Sequence, residues 1–189
     1  MSYFNTRELA AIAMCACLWG VLNSILSPTF FKLTGMPFLC DLIGFTVLTL
    51  AAWWIRKLGA ITAIGLIATA INFIIVPGGI QFFGFMGASI FFDLVATLLR
   101  KRNLFRNAGY NYAMMIPISI GSAAVAGYII GIFFMAGPVL VKWGGALGWA
   151  GLHSIGGIIG GSIGAFLIAA LDSRKILNHH LQKTEKQNQ

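Results

Sequence analysis

The side chains able to do chemistry in this chain are few, and most sit where a polar group is costly. Only five are acidic, Glu8, Asp41, Asp93, Asp172 and Glu185, which leaves little material for paired-carboxylate catalysis. More telling are the polar residues set inside long apolar runs: Asn23, Asp41, Asn72, Gln81, His153 and Ser154, with Lys142, Trp143 and Trp149 close by. Such groups face a bundle interior or a water-filled cavity. A carboxylate like Asp41 needs a partner cation or a protonating environment there. Asn23, Asn72 and His153 serve as ligand contacts or, equally, as interhelical hydrogen-bond glue. Phe82, Phe83 and Trp149 can stack on a heteroaromatic ligand, although Trp143 and Trp149 also suit an interfacial aromatic belt. Asp93 lies seven residues before Arg100 on one helical face, which reads first as an ion pair and second as a coupling group.

Positioning these residues requires membrane-spanning helices. The chain of 189 residues is 58% hydrophobic and 10% charged, with a mean hydropathy of +0.85, far from the mix of a soluble domain. A span needs roughly 20 apolar residues. Charged clusters, Pro and Gly cut the sequence into six such segments, about 8–28, 36–55, 59–77, 80–99, 112–136 and 146–171, followed by a polar tail at 172–189. The expected fold is an all-α, six-helix transmembrane bundle forming a single domain. The run beginning at Leu9 is too long for a cleavable signal peptide, and further spans follow at once. Val76-Pro77-Gly78-Gly79 is a tight turn that makes the third and fourth helices antiparallel neighbours.

Basic residues set the direction. Eleven lie in the N-terminus, the second and fourth loops and the tail, against Lys32 and Lys142 alone in the other loops. By the positive-inside rule both termini are cytoplasmic. Asn23, Asp41, Asn72, Gln81 and His153 then share a depth near the outer face, the arrangement expected of a small-molecule pocket. The net charge of +8 is accounted for by insertion and by attraction to anionic membrane lipid, not by nucleic acid.

Small residues four apart allow helices to approach closely in lipid. The last segment carries two such strips, Gly156/Gly160/Gly164 and Gly157/Gly161/Ala165, and the fifth carries Ala123/Gly127/Gly131. These two helices are expected to cross tightly. The first helix pairs Ala13 with Cys17, and Ala16 with Gly20 and Ser24; that smooth face can meet a helix of this chain or of another protein. Cys15, Cys17 and Cys40 read as small buried hydrophobes, with no disulfide framework and no metal site. A phosphate-binding loop and a His-Glu-x-x-His zinc signature are both absent. Gly160-Gly161-Ser162-Ile163-Gly164 reads as part of a packing strip and not as a nucleophile elbow. An enzyme is not expected, nor any cofactor.

Over about residues 5–172 the chain resembles the substrate-capture, or S, components of energy-coupling factor transporters. The likeness rests on six short helices with both ends inside and on a first helix opening Arg7-Glu8-Leu9-Ala10-Ala11-Ile12-Ala13 and continuing Ala16-Cys17-Leu18-Trp19-Gly20. Trp53-Trp54-Ile55-Arg56-Lys57-Leu58-Gly59-Ala60 is similar to the thiamine and hydroxymethylpyrimidine branch. The resemblance implies a small vitamin held near the outer face of a prokaryotic cell membrane, covered by a first loop at 27–41. It further implies a surface at Ala13, Ala16, Cys17 and Gly20 docking on a transmembrane coupling subunit that works with two cytoplasmic ATPases. The usual pattern has alanines four apart, and Cys17 replaces one of them. Asp41, Asn72, Trp149 and His153 are the preferred ligand contacts, with Asn23 and Gln81 beside them, and a cationic or aromatic-nitrogen ligand such as thiamine or its pyrimidine precursor suits that set. Two alternatives stand: a self-contained proton-coupled carrier using Asp41 or Asp93, and a non-transporting assembly or lipid-interacting protein held together by its glycine strips.

Overall fold

In a computed structural model, which describes residues 3–101, 108–135 and 137–173, the chain is a bundle of helices. They are α1 (Thr6–Thr34), α2 (Phe38–Ile55), α3 (Ala60–Ile75), α4 (Phe82–Lys101), α5 (Ala108–Phe133), α6 (Gly137–Lys142) and α7 (Gly145–Ser173). Five of these, α1, α2, α4, α5 and α7, are long and apolar enough to cross a membrane, and α3 is a shorter apolar helix. Large exposed apolar side chains such as Met14, Leu18, Leu66 and Phe166 stud the bundle surface, as a lipid-facing wall requires. The protein is thus a multi-pass helical membrane protein. Arg102, Arg106 and the polar tail after Ser173, including its basic residues, lie outside the described residues.

The largest departure from the sequence reading is in α1. It starts with a capping box, Asn5 accepting from the Glu8 amide at 2.9 Å while Glu8 accepts from the Asn5 amide at 2.9 Å, and runs past Pro28 to Thr34. Proline removes one backbone donor but is tolerated in membrane helices when neighbouring groups compensate. The Ser24 and Thr29 hydroxyls bond back to Gly20 and Ile25 carbonyls on either side of it. The helix ends only at Gly35, whose φ of 70° suits glycine and whose amide bonds to Phe31. The first loop is therefore residues 35–37 and not the long cover at 27–41 that was expected. At its other end α1 is tied to the turn between α2 and α3 by Lys57, which pairs with Glu8 at 2.7 Å and donates to the Tyr3 carbonyl at 2.8 Å.

The faces of α1 also separate what the sequence grouped as one docking surface. Ala16 and Gly20 are buried, and a Cβ on Gly20 would lie 2.9 Å from Ile71 of α3. Ala13 and Cys17 are exposed. The pair Ala16 and Gly20 is thus packing within the chain, because the smoothest strip of a helix is where a neighbour approaches most closely.

In α7 the two glycine strips divide between two partners. Gly156, Gly160 and Gly164 lie against Asp41, Leu42 and Thr49 of α2, whereas Gly157 and Gly161 lie against Ala123 and Ser119 of α5. Added Cβ atoms would come within 2.5–2.8 Å of those neighbours, so α7 occupies a groove that only glycine permits. Thr46 donates to the Gly160 carbonyl at 3.1 Å across the same seam. Phe45, Leu48, Ile64, Phe92 and Ile168 fill the core between helices.

Asp93, read from sequence as half of an ion pair, has a different principal role. Its Oδ2 accepts from the Gly59 amide at 2.8 Å, the Thr62 amide at 3.0 Å and the Thr62 hydroxyl at 2.8 Å. A carboxylate at the N-terminus of α3 satisfies backbone donors that have no partner within the helix and complements the helix dipole. Arg100, two turns further along the same face of α4, donates to the Ala52 carbonyl at 3.1 Å.

Candidate ligand site

At the end of the bundle where α1, α3 and α5 finish and α2, α4 and α7 begin, the helices line a partly open cavity of about 400 Å³. That is within the range of small-molecule sites. Ser27, Phe31 and Lys32 of the extended α1 form one side, Phe82 and Phe85 of α4 another, and Trp149 and His153 of α7 the floor, with Cys40 and the short α6 completing it. The wall is chiefly apolar and carries a run of rings: Trp149 meets His153 edge-on at 5.4 Å between ring centres, Phe31 meets Trp149 at 6.3 Å, and Phe85 lies 5.9 Å from His153.

Beneath the wall is a buried acid–base pair. His153 Nδ1 hydrogen bonds Asp41 Oδ1 at 3.1 Å and stands 2.9 Å from Oδ2, with both side chains almost fully buried. Glycine makes the pairing possible. A Cβ on Gly156 would fall 2.5 Å from the Asp41 Cβ, and one on Gly127 would fall 2.8 Å from the His153 ring. Among the described residues the other ring nitrogen, Nε2, has no hydrogen-bond partner, nor have Trp149 Nε1, Trp19 Nε1 and Asn23 Nδ2, all buried. Leaving such a group unbonded costs about 1–3 kcal/mol; of these residues His153 and Trp149 line the cavity, whereas Trp19 and Asn23 do not.

The residues singled out in the sequence fall into three groups. Trp149, His153 and Gln81 line the cavity, Gln81 exposed in the turn just before α4. Asp41 and Asn23 lie one layer behind: Asp41 holds His153, and Asn23 accepts from the Ser27 hydroxyl at 2.5 Å. Asn72 belongs elsewhere. It accepts from the Ser24 hydroxyl at 2.7 Å and donates to the Ala68 carbonyl at 2.8 Å, a bridge between α1 and α3 that spends its hydrogen-bonding capacity on packing. Among the aromatics, Phe82 lines the cavity, but Phe83 turns outward to Phe73 and Phe134. Lys32, Phe31 and Phe85 were missed. For the first two the reason is that α1 was ended at Pro28, which placed them in a loop; Phe85 repeats the i, i+3 spacing from Phe82 that marks one helix face.

Cys40, Asp41 and His153 also bring three possible metal-ligand atoms within 4.8 Å of one another. These atoms already have partners, the thiol donating to the Pro37 carbonyl at 2.6 Å and the other two bonding each other. The letters Gly-x-Ser-x-Gly do occur at Gly160–Gly164, but Ser162 lies in the middle of α7. A nucleophile elbow needs a strand-to-helix turn. No family model, no curated protein and no solved structure matches the chain.

Proposed function

We propose that this protein is the substrate-capture subunit of an energy-coupling factor importer for a small water-soluble vitamin or vitamin precursor. It would sit in a prokaryotic cytoplasmic membrane as six spans with both termini inside. The observation that carries the reading is the aromatic cavity with its unpartnered polar atoms at the end of the bundle poorest in basic residues. Arg7, Arg56, Lys57, Arg100 and Lys101 gather at the opposite end, so the positive-inside rule turns the cavity outward. With no phosphate-binding loop in the sequence, ATP-driven uptake through such a site would draw on a motor supplied by other subunits. The exposed Ala13 and Cys17 on α1 offer a small-residue strip to a coupling subunit, which two cytoplasmic ATPases would drive.

Thiamine and hydroxymethylpyrimidine are the solutes that the sequence resemblance suggests. The test is purification of the tagged chain from its native membrane, with identification of co-purifying proteins and of retained small molecules by mass spectrometry. A stable complex with a membrane subunit and two ATPases, carrying a vitamin-sized solute, is the expected result. Solute uptake by the lone chain in liposomes driven by a proton gradient would overturn it.

One observation favours a second reading as a proton-coupled carrier, namely the buried Asp41–His153 pair. Asp93 gives that reading no support, since its carboxylate is committed to α3. The α7 glycine strips likewise lend nothing to an assembly protein, being used against α2 and α5 of the same chain.

A further inference from the structure

The charges around the cavity carry the reading further than its shape does. Lys32 lines the cavity from the last turn of α1, is exposed, and has no ion pair among the described residues. Lys142, in α6 at the same end, lies 5.8 Å from the Trp143 ring centre, and Trp143 in turn packs on Trp149 at 6.1 Å. Against these two cations that end of the bundle holds, among the described residues, one carboxylate, Asp41. It does not line the cavity, is fully buried, and faces His153. Glu8 and Asp93 are at the far end, engaged with Lys57 and α3. Among the described residues no carboxylate therefore lines the cavity to receive a cation, whereas the Lys32 ammonium stands at its rim to receive an anion.

Hydrogen bonding adds a second constraint. With Nδ1 held by Asp41, His153 is left with Nε2, and Trp149 with an indole N–H that can only donate. Neither atom has a hydrogen-bond partner among the described residues, but both are buried beneath the cavity surface, so the accessible ammonium of Lys32, and not these nitrogens, sets the polarity a ligand first meets.

Resting on the reading of the cavity as a solute site, we infer that its ligand is a small aromatic or heteroaromatic anion, a carboxylate in the simplest case. The ring lies among Phe31, Phe85 and Trp149, and the acid group is paired with Lys32. A permanently cationic ring such as that of thiamine is disfavoured, which reverses the preference drawn from the sequence. There, Asp41 was counted as a ligand contact; in the fold its charge is turned toward His153. The positive rim also attracts anions before contact.

The experiment is a binding screen on the purified full-length chain in detergent by isothermal titration. Charge-matched triplets are built on pyridine, pyrimidine and benzene rings, each as the carboxylate, the amide and the quaternary ammonium, with thiamine as a further cation. At least one carboxylate should bind on the order of ten-fold more tightly than its own amide, as expected for a charge-assisted bond in a partly enclosed site. The ammonium should bind more weakly than either. Lys32→Gln should abolish the acid-over-amide preference and Lys32→Arg should keep it. A cation binding best, a preference unchanged in Lys32→Gln, or binding of no triplet member would overturn the inference. The outcome is separable from the transporter reading. If ATPases co-purify but cations bind best, only the ligand class is wrong; if carboxylates bind but no energising subunits associate, only the transporter assignment is wrong.

Discussion

The two ends of this bundle each bury one carboxylate, and the two are built in opposite ways. Asp93 sits where α3 begins, its Oδ2 held by three donors, beside a void of only about 10 Å³. Asp41 sits under a cavity of about 400 Å³, faces one histidine, and has unpartnered nitrogens around it. Burial of an acid inside a membrane bundle is thus an ambiguous sign. The distinguishing feature is whether the surrounding donors and acceptors are already satisfied: a completed set reads as architecture, an incomplete one as a receiving site.

The contrast can be broken by mutation. The largest effect on stability should come from Asp93→Ala, which removes all three bonds to a charged acceptor. A loss of about 3 kcal/mol or more is expected, read as a drop in the thermal midpoint in detergent, while the folded fraction keeps its ligand affinity. An affinity loss at unchanged midpoint would erase the distinction drawn between the two ends. Asp41→Asn should act the other way round, weakening ligand binding ten-fold or more because His153 loses its anionic anchor, with a stability cost of about 1–3 kcal/mol. Titration of the best-binding solute checks it, and unchanged affinity would remove Asp41 from the site. Trp149→Phe keeps an aromatic wall and deletes one N–H. It should cost about 1 kcal/mol of binding and leave the midpoint within a degree or two. The smallest effect belongs to Asn72→Ala, about 1 kcal/mol of stability from a lost interhelical bridge, with binding untouched; a large binding defect there would return Asn72 to the ligand site.

How much of this was legible from sequence depends on how local each signal is. The glycine strips of α7 were plain, because a four-residue repeat within one helix needs no knowledge of the neighbour. Their division between α2 and α5 was not, since it depends on which helices flank α7. His153 and Trp149 could be placed near a common site because charge patterning gave their depth. Asn72 could not be told from Asn23 in this way: both are buried asparagines at similar depth, and only the position of Ser24 decides that Asn72 is spent on packing. Pro28 misled most. Read as a helix end, it hid the final turns of α1, and with them the one ammonium that lines the cavity. The partners of Asp93 lie 31 and 34 residues earlier in the chain, so a reading along one helix found Arg100 instead.

The glycines that seat Asp41 and His153 have a consequence for how selectivity can drift. Neither Gly156 nor Gly127 lines the cavity, yet Gly156 sets how closely α7 approaches Asp41 of α2, and Gly127 sets how closely α5 approaches the His153 ring from the other side. A methyl group at either position would spread the seam and tilt the histidine under the ligand. Variants with altered ligand preference should therefore be found among helix-crossing residues that never touch a solute, as readily as among the aromatics that do.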